Sequence, residues 1–193
     1  CVDAGECSYN AGDGSSHHTY NNGKDNHPIN YMNWQESADY CSWKGKRLPT
    51  EVEWERAARG PDGRRFPWGS EPPSCEDRGD GSVHEACPYD GTRPVGDHVA
   101  PSPFGVRGLG GGLWEWTGTS YGEDGTSRVQ KGGGWSSDDM MERRAAFRGG
   151  LPPETRLADV GFRCARDLDA PRAADSHERA ATSICHSAGA PTQ

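Results

Sequence analysis

Asn33 opens the first stretch of the chain with a clear helical period. Trp34, Ala38 and Cys41 recur at i, i+4 and i+7, which is one face of an α-helix, and Gly45 supplies a stop. Asn33 and Glu36 stand at the spacing of a capping box. The pattern repeats at once. Thr50 and Glu53 form a second capping pair; Trp54, Ala57 and Ala58 make an apolar face, and Gly60 ends it. Two short helices joined by "GKRLPT" are therefore predicted. After residue 60 the helical period is lost. "PDGRRFPWGSEPP" is turn chemistry, and "CEDRGDGSVHEAC" is an acidic stretch between Cys75 and Cys87. "LWEWT", "RVQKGGGW", "RAAFRGG" and "VGFRCAR" read as short strands between glycine turns. From Ala170 onward the chain has almost no bulky apolar residues and no period, the composition of a disordered tail. The expected organisation is an irregular segment 1–26, one domain over 27–169 and a tail over 170–193.

Composition changes the picture of the core. Apolar residues make up 32% of the 193. The usual share is about 45–50%, counting glycine. A plain aliphatic core is thin. The 7 tryptophans and 27 glycines shift the balance: large rings fill space where glycine lets backbones approach. A loop-rich single domain is expected. The formal charge of −8 argues against non-specific nucleic-acid binding and against an anionic membrane surface. No stretch is apolar over the length of a membrane span. The chain starts at Cys1 rather than Met and reads as a processed or trimmed segment. Seven cysteines lie at 1, 7, 41, 75, 87, 164 and 185, with no C-x-x-C pair. The short separations Cys1–Cys7 and Cys75–Cys87 suit disulfides, and the number is odd, which leaves Cys185 as the candidate free thiol. This usage points to an oxidising, extracytoplasmic compartment, periplasmic or secreted.

The candidate chemistry is sparse. "GLGGGL" at 108–113 misses the nucleotide-loop spacing, because position 113 is leucine, and reads as close backbone packing beneath Trp114 and Trp116. His17 and His18 read as solvated loop histidines. Glu76, Asp77, Asp80 and Glu85 are hard oxygen donors on a glycine-rich loop, the donor type calcium takes. Glu115 lies between Trp114 and Trp116; a carboxylate buried there needs a partner, and either an ion pair or calcium would serve. Arg143, Arg144, Arg148, Arg156, Arg163 and Arg166 recur through the last third and are expected to pair with carboxylates.

Taken in order, "HPINYMNWQESADYCSWKGKRLPTEVEWERAARG", "FPWG", "PVG", "SPFGV", "LWEWT", "RVQKGGGW" and "GFRCAR" resemble the formylglycine-generating enzyme family, the sulfatase-modifying factor domain. The resemblance covers roughly residues 27–166. It implies an α+β fold, a variant of the C-type-lectin fold: loop-rich, with two short helices and small twisted antiparallel sheets. It implies a disulfide between Cys41 in the first helix and Cys164 in the last strand. Family members carry an N-terminal "GGxFxMG"-like strand and an "E-V-T" region that this chain lacks, so part of the sheet is expected to be missing.

The resemblance also implies a chemistry and marks where it fails. The aerobic enzymes of the family bind copper(I) through two cysteines after a "GGSW" segment and oxidise a substrate cysteine to formylglycine. Those positions fall near Ser137 and Glu142, and neither is a thiol. The asparagine of the family's "GNVWEW", tied to calcium, is here Gly112, and the acidic residue of "LYDM" is Gly108. Copper is not expected; calcium is the cofactor left open, at Glu115, Asp77 and Asp80. The expectation is a non-oxidase binding or accessory module for a protein, peptide or glycan ligand, either a monomer or part of a larger multidomain protein. Its candidate face is Trp135, Ser136, Ser137, Asp138, Asp139, Glu142 and Arg148. The competing reading is a formylglycine-generating oxidase that recruits a later thiol, Cys164 or Cys185, or another oxidoreductase of the family; free Cys41 and Cys164 beside a copper ion would favour it.

Overall fold

A computed structural model describes residues 1–2, 5, 7–9, 15–72, 87, 90–96 and 101–168. The expected tail and the acidic residues Asp77 and Asp80 lie outside the described residues. Helix α1 spans Trp34–Trp43 and helix α2 spans Glu51–Arg59. Both start at the predicted caps, and both capping boxes are closed, Asn33 with Glu36 and Thr50 with Glu53. Gly60 ends α2 at φ 68°, a left-handed conformation that glycine adopts without steric cost.

Four short strands follow: β1 (Trp114–Ser120), β2 (Arg128–Lys131), β3 (Gly149–Leu151) and β4 (Val160–Phe162). They form one sheet in the order β3-β2-β1-β4. The fold is α+β, with little regular structure, as the resemblance implied. The sheet corrects that expectation in one respect. It is mixed, because β4 runs parallel to β1, with Glu115 opposite Gly161. A parallel neighbour needs a long connection, and the chain between β1 and β4 supplies it through β2, a 3₁₀ turn at Met140–Arg143 and β3. The predicted strand "RAAFRGG" is largely not one. Only its last two glycines enter β3, because Ala145 is pulled fully into the core instead.

Tryptophans organise the interior. One cluster holds Cys41, Leu48, Trp114, Trp116 and Val160; the other holds Trp54, Ala58, Leu109 and Ala145. Each large indole that goes inside brings an N–H that needs an acceptor. Trp116 donates to Met32 O at 2.9 Å, and Trp34 to Thr117 O at 2.8 Å. Cys41 and Cys164 form the implied disulfide, joining α1 to the chain just after β4. Cys1 and Cys7 are also bonded. Cys87 is disulfide-bonded, while Cys75 lies outside the described residues.

Candidate functional site

Strand β2 ends at Lys131, Gly133 takes φ 71° just beyond it, and from there a loop runs to the 3₁₀ turn. A side chain at Gly134 would strike Asp159, whose carboxylate oxygen lies 2.5 Å from the Cβ position. The backbone is therefore packed directly against an acid. The neighbouring Ser136 hydroxyl donates to that same Asp159 carboxylate. The glycine run before β1 zips onto this loop: Gly111 N donates to Gly132 O, and Trp135 N donates to Gly112 O, both at 2.9 Å. Within the run, Gly110 packs closely against the Trp68 ring, which a Cβ would meet at 2.8 Å.

The loop is braced from inside by Arg143. Its side chain is fully buried and donates to Ser137 O at 2.7 Å and to Gly134 O at 3.4 Å. Burial pushes the guanidinium pKa down, against the pull of Glu142, Asp138 and Asp139. Asp139 caps the 3₁₀ turn by accepting from Met141 N at 2.8 Å. Ser137 is buried, with its hydroxyl accepting from Gly134 N at 3.2 Å. Ser136, Asp138 and Asp139 are exposed, and Glu142 is half-buried. Trp135 is half-buried; its indole donates to Ala158 O at 3.3 Å and stacks on His17 at 5.1 Å.

Arg148, placed on the same face by the sequence, is engaged elsewhere. It forms a two-pronged ion pair with Glu51 of α2 at 2.8 Å and lies over the Tyr121 ring. The arginine expectation otherwise holds at three positions: Arg148 pairs with Glu51, Arg156 with the buried Glu36, and Arg163 with Glu115. Glu115 meets its burial with that ion pair. Arg163 takes both carboxylate oxygens, and Trp54 Nε1 donates to one of them at 2.6 Å. Among the described residues, no three His, Cys, Asp or Glu side chains converge as a metal-binding group.

The histidines differ from the sequence reading. His18 is fully buried, stacked on Tyr31 at 3.7 Å with its Nδ1 3.2 Å from the Tyr9 hydroxyl. His17 reaches Asp90 at 3.0 Å. Asp159 and His17 flank the loop, and no local motif announces either one. Both arrive from distant parts of the chain.

The profile of the sulfatase-modifying factor enzyme 1-like domain matches residues 2–168. The chain belongs to that family. A formylglycine-generating enzyme of Thermomonospora curvata is 36% identical over 171 residues, covering 74% of this chain and 56% of that protein. The "Inactive C-alpha-formylglycine-generating enzyme 2" of Bos taurus is 34% identical over 155 residues, covering 75% and 52%. The chain thus spans about half the length of these curated relatives. The solved structure of PvdO from Pseudomonas aeruginosa shares the fold, with a TM-score of 0.61 at 23% identity, over 74% of this chain and 63% of that one.

Within this sulfatase-modifying factor domain, the positions onto which the resemblance carries the copper thiols hold Ser137, whose hydroxyl accepts from the Gly134 backbone N–H, and the Glu142 carboxylate, whereas copper(I) takes soft thiolates. Of the later thiols that an oxidase could recruit, Cys164 is bonded to Cys41, and Cys185 lies outside the described residues.

Proposed function

We propose that this domain is a non-oxidase member of its family, an extracytoplasmic binding or accessory module for a peptide or glycan. One observation carries the reading: the loop is kept as a rigid scaffold while its thiol positions hold Ser137 and Glu142. Arg143, the Asp139 cap and the glycine zipper hold the backbone of this loop. Its exposed groups are Ser136, Asp138 and Asp139, with Glu142 and Trp135 at the margin. Hydroxyl and carboxylate acceptors beside an indole suit a polar ligand such as a basic peptide or a sugar. The Cys1–Cys7 and Cys41–Cys164 disulfides and the bonded Cys87 support an oxidising compartment. The relatives' names include both generating enzymes and an inactive one, so membership alone is compatible with either role.

The test uses the whole chain with copper(I), oxygen and a Cys-x-Pro-x-Arg peptide, read by mass spectrometry. The expected result is no formylglycine above the no-protein background. Stoichiometric conversion would overturn the reading. The Ser137→Cys/Glu142→Cys double variant restores the two thiols on the same frame. Its gain of copper(I) binding is the expected companion result.

A further inference from the structure

Four consecutive carbonyls, those of Ser15, Ser16, His17 and His18, are held by two asparagine amides. Asn22 Nδ2 lies 3.2 Å from Ser15 O, 3.2 Å from Ser16 O and 2.7 Å from His18 O. Asn30 Nδ2 takes the remaining carbonyl, His17 O, at 2.7 Å, and also Ala158 O at 2.7 Å. Three acceptors around one end of the Asn22 side chain fix that end as the nitrogen, since an amide oxygen has no proton to offer them. The segment held in this way carries His17, whose ring stacks on Trp135 at 5.1 Å and reaches Asp90 at 3.0 Å.

The two amides differ in their chemical surroundings. Asn30 is fully buried and is followed by Tyr31. Asn22 is exposed and is followed by Gly23, and no other asparagine in the sequence precedes a glycine. A backbone nitrogen attacks the side-chain amide carbon of the preceding asparagine most readily when it belongs to glycine, because no Cβ blocks the approach. Gly23 has nothing within 4 Å of its Cβ position, so its surroundings are open as well. In the closed loop the attack is held back. Gly23 N donates to Tyr20 O at 3.2 Å, and the Asn22 amide is pinned by its three carbonyls. Opening costs little, since two of those three contacts are exposed.

We propose that Asn22–Gly23 is a deamidation site and that its conversion unlocks the segment behind Trp135. Gly23 N, once base has taken its proton, bonds to Asn22 Cγ. The bond from Cγ to Nδ2 breaks, and ammonia leaves with a proton from water. The succinimide then takes up water at one of its two carbonyls, which gives aspartate or isoaspartate. No electrons change hands. The product is an ionised carboxylate, an acceptor only. It faces three carbonyls that have lost their donor, so attraction turns to repulsion. Asn30 still holds His17 O, which confines the release to the outer side of the segment. The inference makes no use of the reading of the 134–142 loop as a binding face, and either can fail without the other.

Ageing the folded chain in mildly alkaline buffer, beside a synthetic peptide of residues 19–26, tests the chemistry by peptide mapping. Conversion at Asn22 is expected ahead of every other asparagine, at least about tenfold slower than in the peptide. Hydrogen exchange tests the consequence. In Asn22→Asp the amides of residues 15–19 are expected to exchange at least about tenfold faster than in the parent chain, with a shift of the Trp135 indole N–H signal. Asn22→Ala removes the donor without adding charge and is expected to fall between the two. Asn22 is exposed, so neither substitution disturbs the core. A folded chain with no Asn22 conversion after the peptide has fully converted would overturn the proposal. So would another asparagine converting first, conversion at the peptide's own rate, or unchanged exchange in Asn22→Asp.

Discussion

Arg143 has no exposed surface, yet it is a cation in the middle of a loop that faces solvent. Such a group is tolerated only where its donors are used. Two of its contacts are the carbonyls of Ser137 and Gly134, residues of the very loop whose side chains define the candidate site. The guanidinium fork suits this task, because one rigid plane can serve two carbonyls at once. Replacing it with a shape-matched apolar chain, Arg143→Met, strands the Ser137 carbonyl and leaves the Gly134 carbonyl with only the Ser137 N–H. The expected cost is about 2–4 kcal/mol. In a domain of this size that lowers Tm by about 4–16 °C. Arg143→Lys is expected to recover less than half of the loss, since an ammonium is a point donor. Thermal denaturation of both variants checks this, and an unchanged Tm for Arg143→Met would remove the brace from the account.

At the scale of elements, the start of α2 is tied to the chain that follows β4. Glu53 closes the capping box with Thr50, and both its oxygens accept from Arg47 at 2.7 Å. Arg47 also pairs with Asp167, and its backbone bridges to Ala165. The Arg47 hydrogen bonds lead the causes that hold Glu53 down to about 2, and the same contacts raise Arg47. An unfolded glutamate titrates near pH ~4.3. The folded value is lower, so the stabilisation is fully present above that pH and is lost as pH falls toward 2. Tm is thus expected to drop between pH 5 and pH 2, and Glu53→Gln to flatten part of that drop while lowering Tm at neutral pH. Equal slopes for the two proteins would contradict it. Local rules made both helices legible, since a cap, a period and a stop all lie within a dozen residues. The β4 pairing was not legible, because its partner lies across the whole crossover from β1. The candidate loop was legible as a frame through its glycines and Trp135. Asp159 and His17 were not, since packing alone brings them there.

Over the whole molecule, a chain with few aliphatic residues is held by rings, ion pairs and one long covalent link. The Cys41–Cys164 bond closes a separation of 123 residues, and Cys41 is fully buried within the Trp114–Trp116 cluster. Helix α2 and all four described strands fall inside that closed span, and the bond itself anchors α1. Closing so long a loop restricts the unfolded chain far more than the folded one, by about 4–5 kcal/mol in the entropic account. The Cys1–Cys7 link spans only 6 residues, at a half-buried end of the chain, and restrains little. A thiolate must reach a sulfur to exchange with it; the long link offers only the half-buried Cys164, whereas both sulfurs of the short one belong to half-buried residues. Graded dithiothreitol followed by alkylation and peptide mass mapping is expected to open Cys1–Cys7 under native conditions. Cys41–Cys164 is expected to resist until the domain unfolds. Removing both sulfurs of the long link, Cys41→Ala with Cys164→Ala, is expected to lower Tm by about 8–20 °C. A smaller loss would mean that the tryptophan clusters and the α2 network hold the unfolded chain or the native fold together without it. Reduction of Cys41–Cys164 ahead of Cys1–Cys7 would show that the core opens locally around α1.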